Sequence, residues 1–258
     1  MKLRFGTLFS GSSGNAVYLS YGDDALLFDA GRSARYIKNA LLSIGEDPAK
    51  IRAVFITHEH DDHISALPFL SSKLACPVYV PLGCFDGMMN VPDSARFYEG
   101  TPSFTVGPFT VESFFTPHDS CGSVGYIVHV AGKKIGVATD MGILAKSVAE
   151  ALAGCDAALV ECNYDEEMLR TGPYAPSLKR RVGGQRGHLS NADGATLCAY
   201  LAYTGARDLL LGHLSKENNT PDKALAAVRA EFEKRGVCAH LAVASREQPT
   251  MLIEEELP

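Results

Sequence analysis

Several features that would place a protein in a special class are missing from this sequence of 258 residues. Its seven cysteines are scattered, and no two of them have the C-x-x-C spacing. An odd number of unpaired cysteines disfavours both a disulfide framework and a zinc ribbon, and it is typical of proteins in a reducing compartment. We therefore predict a cytoplasmic protein.

Long apolar runs and an excess of positive charge are missing too. No segment approaches the ~20 consecutive apolar residues of a membrane-spanning helix, so we predict no membrane association. Lysine and arginine number 24 against 30 aspartates and glutamates, which gives a formal net charge of −6. This acidic balance disfavours a protein that coats nucleic acid nonspecifically, although it permits a local basic patch.

Low-complexity linkers and repeats of solenoid length are also absent, so we predict a single domain over residues 1–258. The content of 46% hydrophobic and 21% charged residues is ordinary for a globular protein. Strand and helix patterns occur in two β-rich runs, which favours two sheets packed face to face with helices outside. A doubly wound parallel sheet is the alternative fold class.

A few predicted elements bear directly on function. We predict a strand over Ile51–Ile56, a helix around Ile64–Leu74 and a polar loop over Leu178–Gly187. A helix over Asn191–Tyr203 and a strand over Val237–Val243 follow towards the end of the chain.

Three of the eight histidines fall within six residues, in the string Thr57–His63. In a helix, side chains two positions apart point in nearly opposite directions, whereas in an extended segment they share one side. We therefore expect an extended segment in which His58, His60 and Asp62 converge, with His63 at the start of the next helix. Imidazole and carboxylate groups at this spacing predict a zinc or manganese site rather than a solvated charged loop.

The string also matches the H-x-H-x-D-H signature of the metallo-β-lactamase superfamily, which the chain resembles over nearly its whole length. Four other elements of the family pattern each come after a predicted strand, and they contain Asp29, His118, Asp140 and His213. The resemblance implies an α+β fold, a four-layer αββα sandwich of two packed mixed sheets with helices outside.

Finer strings resemble the YycJ/WalJ subgroup of this family, which is described as exonucleases acting 5′ to 3′ on double-stranded DNA. These strings are Gly11–Ala16, Glu161–Asp165, Gly187–Asn191 and His213–Asn219. Tyr164 departs from the subgroup, because many members have a histidine at that position.

The resemblance implies two divalent metal ions, zinc or manganese, held by seven residues. His58, His60 and His118 would bind one ion, Asp62, His63 and His213 the other, and Asp140 would bridge the two. Paired cations lower the pKa of a shared water to near 7, so a bridging hydroxide becomes the nucleophile. Asp62 and Asp140 are therefore assigned catalytic as well as metal-binding roles. Asp29 would either orient the histidine string by accepting hydrogen bonds or cap a turn.

His188 is the candidate catalytic residue outside the ligand set. We expect it to contact phosphate or to protonate the leaving group, assisted by Ser190 at the start of the following helix. A basic run precedes it and is expected to bind phosphate or nucleic acid through Lys179, Arg180, Arg181 and Arg186. The alternative is a basic surface loop followed by a helix-capping sequence.

Together these features predict a dinuclear metal-dependent phosphodiesterase, and the resemblance makes it a 5′-to-3′ exonuclease on double-stranded DNA with no protein partner. RNA-processing nucleases and hydrolases of small esters or cyclic phosphodiesters use the same scaffold. Only 72 residues separate Asp140 from His213, which leaves no room for the β-CASP domain of RNA-cleaving relatives. The basic run disfavours an apolar ester pocket. A noncatalytic binding scaffold is disfavoured because no ligand of the pattern is missing.

Overall fold

Two seven-stranded sheets form the centre of the computed structural model, which describes residues 1–74 and 76–257. The side chains of residues 69 and 71–73 are not described. The order of strands in the first sheet is β14 (Thr250–Glu256), β1 (Lys2–Phe9), β2 (Ala16–Tyr21), β3 (Asp24–Phe28), β4 (Ile51–Phe55), β5 (Val78–Pro81) and β6 (Ala95–Tyr98). Neighbours are antiparallel from β14 to β3 and parallel from β3 to β6.

The second sheet has the same mixture of directions. Its order is β13 (His240–Val243), β12 (Asp208–Gly212), β11 (Ala157–Glu161), β10 (Lys133–Ala138), β9 (Val124–Val130), β8 (Phe109–Phe115) and β7 (Ser103–Val106). Neighbours are parallel from β13 to β10 and antiparallel from β10 to β7. Two mixed sheets confirm the predicted α+β sandwich and exclude the doubly wound parallel sheet.

Helices cover the outer faces of the two sheets. They are α1 (Ala34–Ser43), α2 (Asp61–Ile64), α3 (Leu67–Leu74), α4 (Lys146–Leu152), α5 (Glu166–Thr171), α6 (Pro176–Val182), α7 (Asn191–Thr204) and α8 (Pro221–Arg235), with 3-10 turns at Pro48–Lys50 and Leu82–Gly87. In the described part of the chain, no helix combines the length and apolar composition needed to cross a bilayer.

Three apolar layers separate the four layers of secondary structure. Alternation along β3 shows how they arise, because Leu26 and Phe28 pack between the sheets while Ala25 and Leu27 pack beneath the helices. The parallel strand β11 is buried along its whole length, as expected for a strand covered on both faces. Each sheet is therefore packed on both of its faces.

Three predicted boundaries are wrong for identifiable reasons. The helix expected around Ile64–Leu74 is divided into α2 and α3, and α2 begins at Asp61, so the extended segment ends at His60 and Asp62 is helical.

Val237 does not start a strand, because its amide bonds to the carbonyl of Phe232 at the end of α8. Together with the left-handed conformation of Gly236, this bond forms the C-terminal cap that ends α8, and β13 begins three residues later.

The polar loop expected over Leu178–Gly187 is also partly wrong, since α6 covers its first half. Pro176 occupies the first turn of this helix, where a proline needs no amide partner. Val182 is buried at the other end. This anchoring outweighs the polarity of the intervening residues and folds them into a helix.

Candidate metal centre

The candidate centre is built at the carboxyl ends of the parallel strands. Asp29 follows β3, His58 follows β4, Asp140 follows β10 and His213 follows β12, while Glu161 is the last residue of β11. Strands of both sheets therefore end at one shared edge of the sandwich. The short helix α2 and the loop after β8 add the remaining histidines.

The backbone at three of these strand ends is strained. Asp29, Asp140 and His213 have φ angles of 62°, 59° and 55°, which are uncommon for residues other than glycine. Only one other non-glycine residue in the described ranges, Ala131, has a positive φ. Strain of this kind persists where the surrounding structure enforces it and is concentrated at functional sites.

One group of ligands consists of three histidines. Nε2 of His58 lies 3.0 Å from Nδ1 of His60, and Nε2 of His118 lies 3.3 Å from the same atom. The Nδ1–H of His118 donates to the carbonyl of Gly187 at 2.8 Å, an assignment that leaves Nε2 unprotonated and available to a metal. His58 and His118 are buried, whereas His60 is half-buried and reaches solvent.

A second group lies beside the first, with a carboxylate between them. Oδ2 of Asp62 is 3.6 Å from Nε2 of His63 and 3.5 Å from Nε2 of His213. The buried carboxylate of Asp140 is 3.3 Å from Nε2 of His63 and 3.6 Å from that of His213, and also 3.6 Å from Nε2 of His118 in the first group. The structure therefore brings together all seven residues of the expected ligand set, with Asp140 between the two groups.

Asp29 supports the histidine string from behind. Its carboxylate accepts the Nδ1–H of His63 at 2.7 Å and the amide and hydroxyl hydrogens of Thr57 at 2.8 and 2.9 Å. These bonds hold the His63 ring with Nε2 turned towards Asp62 and Asp140. This is the position expected of a carboxylate that orients a metal ligand.

The sequence analysis missed Glu161 as a functional residue. Its side chain is fully buried, with Oε1 accepting the Nδ1–H of His188 at 2.8 Å and lying 3.5 Å from Nδ1 of His213. Oε2 accepts the amide of Met141 at 2.7 Å. A charged residue at the end of a wholly apolar strand was the available signal, since Asp29 stands in the same kind of position.

Asn163 was missed as well. Its side-chain amide lies 3.0 Å from Nδ1 of His213 and donates to the His213 carbonyl at 2.8 Å. It therefore fixes both the ring and the backbone of a residue with a strained φ. The available signal was its place in Glu161–Asp165, one of the strings that resemble the YycJ/WalJ subgroup.

The electrostatics of the centre favour bound cations. Burial, reinforced by the charge of His63, lowers the pKa of His58 well below its usual value. Burial also opposes protonation of His213, but the carboxylates of Asp140, Asp62 and Glu161 outweigh it and raise the pKa of His213 to about 10. Asp140 has a pKa well below its usual range, because His213 and His63 outweigh the effect of burial. The pocket thus stabilises positive charge next to Asp140.

The donor set fits a metal. Oδ2 of Asp140 and Nε2 of His213 are buried and make no hydrogen bond to the described residues, although unsatisfied buried polar atoms are costly. Ligand atoms of His58, His60 and His118, and likewise of Asp62, His63 and His213, lie within 4.8 Å of one another. Imidazoles and carboxylates in this arrangement suit first-row divalent ions.

The structure places the basic residues beside the centre, though most are already engaged. The guanidinium Nε of Arg181 donates to Oδ2 of Asp119 at 2.6 Å, and Arg186 donates to the carbonyls of His118 and Ser120 at 2.8 and 3.0 Å. Both arginines therefore brace the loop that carries His118.

The other two basic residues, Lys179 and Arg180, precede Arg181 on α6. Lys179 donates to the carbonyl of Arg170 at 2.8 Å. Within the described ranges, exposed Arg180 has no hydrogen-bond or ion-pair partner. Of the four basic residues predicted to bind phosphate, Arg180 is the one whose charge is unengaged.

His188 and Ser190 have different surroundings. Nδ1 of His188 is held by Glu161, and the ring stacks on His213 with centroids 5.1 Å apart. The Ser190 side chain is buried, and its oxygen accepts the amide of Asp193 at 3.1 Å at the start of α7. The structure thus brings His188 to the centre and gives Ser190 the helix-capping role.

Comparisons with known proteins agree on the family. The model of the β-lactamase superfamily domain matches residues 25–214. Exodeoxyribonuclease WalJ of Streptococcus pneumoniae serotype 2 is 36% identical over 228 residues, covering 86% of this chain and 85% of its own. Exodeoxyribonuclease YycJ of Bacillus anthracis is 34% identical over 245 residues, covering 92% and 91%. The metallo-β-lactamase fold protein YhfI of Bacillus subtilis superposes with a TM-score of 0.73 over 97% of this chain and 100% of its own. Its sequence is 18% identical, so this similarity shows the fold alone.

Proposed function

The chain belongs to the β-lactamase superfamily and is a hydrolase of that fold, and we propose that it is a metal-dependent exonuclease degrading double-stranded DNA from 5′ to 3′. The convergence of seven histidine and aspartate ligands around Asp140 carries this proposal, because phosphodiester hydrolysis is chemistry that paired cations serve well. Two relatives named exodeoxyribonucleases, each aligned over most of both chains, support DNA as the substrate. The whole chain would act as one domain without a β-CASP insertion.

We propose two divalent ions, zinc or manganese, at the centre. His58, His60 and His118 would hold one, Asp62, His63 and His213 the other, and Asp140 would contact both. Bound there, the ions would supply an activated water nucleophile and positive charge that neutralises the reacting phosphate.

His188 would protonate the leaving group, and Glu161 would position His188. The Glu161 carboxylate accepts the Nδ1–H of His188, so the ring is held in one orientation with Nε2 free to carry a second proton. Transfer of that proton to the departing sugar oxygen would prevent charge from building up on it. Glu161 is buried, and so its charge acts on His188 with little screening by water.

Arg180 would contact the phosphate backbone of the duplex, since its side chain is exposed and its charge has no protein partner in the described ranges. Contacts of this type position DNA without reading its sequence. Arg181 and Arg186 would act on His118 through the loop they brace.

The deciding experiment is digestion of end-labelled duplex DNA by the protein loaded with manganese or zinc. We expect mononucleotides to be released from the 5′ end by the wild type and no release by His60→Ala. His129→Ala is the matched control, because His129 is exposed on β9 and pairs with Lys134 at the start of β10, the end of that strand opposite Asp140.

Intact linear and nicked duplexes after incubation with metal-loaded wild-type protein would contradict the proposal. Single-stranded RNA and bis(4-nitrophenyl) phosphate are included as competing substrates. Faster turnover of either one would assign the centre to an RNA-processing nuclease or to a small-phosphodiester hydrolase instead.

A further inference from the structure

A hollow of about 780 Å³ is lined by Leu214, which directly follows the ligand His213, and it shares no lining residue with α6. This volume is in the range of small-molecule binding sites. Its polar lining comes from the β1–β2 loop, the segment after β12 and the segment before β14. These lining residues are Ser12, Ser13, Lys216, Ser245, Arg246 and Glu247.

The hollow is connected directly to the ligands of the centre. Lys216 is three residues beyond His213, so their Cα atoms are at most about 11 Å apart. On the other wall, the β1–β2 loop ends at Asn15, whose side-chain amide donates to Oδ2 of Asp62 at 3.2 Å. One wall of the hollow is thus close along the chain to the ligand His213. The other wall ends at Asn15, which contacts the ligand Asp62.

The loop at this wall offers unused hydrogen-bond donors. Gly11 and Gly14 have φ angles of 140° and 145° and flank the exposed pair Ser12 and Ser13. Within the described ranges, the amides and hydroxyls of both serines have no hydrogen-bond partner. Consecutive free amides in a glycine-flanked turn, together with hydroxyls, form concavities that bind anions.

The charges at the hollow are also unneutralised. Lys216 is exposed and forms no ion pair with the described residues. Arg246 donates from Nε and Nη2 to the carbonyls of Leu214 and Ser215 at 3.3 and 3.0 Å, and among the described residues no carboxylate forms an ion pair with it. The acidic lining residue, Glu247, is paired with Arg32 at 3.1 Å. The hollow therefore presents net positive charge and hydroxyl donors, which together suit phosphate.

We propose that this hollow binds the terminal 5′-phosphate of the DNA strand being degraded, an inference that rests on the proposed exonuclease function. Phosphates of one strand are spaced 3.4 Å along the helix axis, so a phosphate near Lys216 lies within a few nucleotides of the centre. A terminal phosphate carries about −1.5 to −2 charges at pH 7, more than an internal phosphodiester. Two uncompensated cations therefore distinguish a strand end from its interior, as an exonuclease must.

The test compares duplexes that differ only in having a 5′-phosphate or a 5′-hydroxyl. We expect wild-type protein to degrade the phosphorylated duplex about tenfold faster, a difference of ~1.4 kcal/mol. Lys216→Gln should reduce this preference to about twofold, while Lys146→Gln, an exposed lysine on α4, should keep it. Equal rates on the two duplexes with the wild type, or a full preference in Lys216→Gln, would overturn the inference and leave the exonuclease function standing.

A binding measurement separates the two proposals, because it needs no turnover. Calorimetric titration of the metal-loaded protein with thymidine 5′-monophosphate, and with thymidine as the uncharged partner, reports the contribution of the phosphate, and the variants report how much of it comes from the hollow. We expect Lys216→Gln, and separately the double variant Ser12→Ala, Ser13→Ala, to weaken nucleotide binding about tenfold. If duplex DNA is not degraded but these losses occur, the hollow is still a phosphate site and only the exonuclease function fails. Unchanged affinity in both variants would place the nucleotide elsewhere and overturn the inference.

Discussion

The metal centre and the basic helix α6 are neighbours, yet they are built in opposite ways. The ligands of the centre lie at buried strand ends and are held by partners such as Asp29, Glu161 and Asn163. Three of the basic residues lie on the seven-residue helix α6 and Arg186 follows it, and Arg181 and Arg186 donate their hydrogen bonds to the protein itself. Burial and hydrogen bonds hold the ligands in place, whereas among these four basic residues only Arg180 has no partner in the described ranges. Substitutions should reflect that difference.

The largest effect is expected at Asp140. Asparagine tolerates the positive φ of this position, so Asp140→Asn removes the charge between the two ligand groups and keeps the backbone. We expect activity to fall at least about 10³-fold, since several kcal/mol of charge stabilisation is lost. The metal content of the purified variant, measured by elemental analysis, should fall as well. Asp222→Asn on exposed α8 is the control, and near-normal activity in Asp140→Asn would contradict the assignment.

Glu161→Gln should have the next largest effect. The neutral amide can no longer stabilise a protonated His188, so we expect kcat to fall about 10²-fold with little change in KM. A purely structural role would lower the melting temperature and the metal content. The proposed role instead lowers kcat less for a substrate whose leaving group needs no proton, such as bis(4-nitrophenyl) phosphate, than for duplex DNA. An equal loss of kcat on both substrates would argue against the pairing.

Asp29→Asn tests the support behind the ligands. Loss of a carboxylate that orients a metal-bound histidine costs about 10- to 100-fold in metal affinity. We expect a weakening of that size in competition titrations against a chelator, with activity restored by excess metal. Activity that stays low at saturating metal would show that Asp29 acts in the reaction itself.

The smallest effect is expected on α6. Arg180→Gln should leave kcat unchanged and raise KM for duplex DNA a few-fold. It should also reduce the slope of log K against log salt by about 0.9, the contribution of one phosphate contact. Arg229→Gln on α8 is the matched control, because Arg229 is also exposed. Identical salt slopes in Arg180→Gln and the wild type would remove α6 from the DNA surface.

The sequence alone identified the ligands that are contiguous in the chain, but not the ligands that are far apart in it. The string from His58 to His63 is contiguous, so local periodicity was enough to identify it as a ligand cluster. His118, Asp140 and His213 stand alone behind separate strands, and only the resemblance to a family joined them to the string. Glu161 received no role, because its value depends on a contact with His188, 27 residues away.

The secondary structure, too, was predictable only where local sequence decides it. Central strands such as β4 were predictable, because apolar and β-branched runs indicate burial directly. The helix α6 was not, since a buried Val182 and an N-terminal Pro176 decide the structure of a segment that otherwise reads as polar loop. The extended geometry expected for Asp62 failed for a related reason, as helix α2 begins one residue earlier.

By itself, then, the sequence determined two β-rich runs with their helices, the ends of several strands and the identity of the histidines and aspartates that follow them. Hydrophobic periodicity and residue chemistry are local properties, and a single chain displays them. Only the tertiary structure decided that Asp140 lies between two ligand groups, that Glu161 holds His188, and that two of the arginines brace a loop. These are pairings between distant segments, set by how the sheets pack, and no local pattern encodes them.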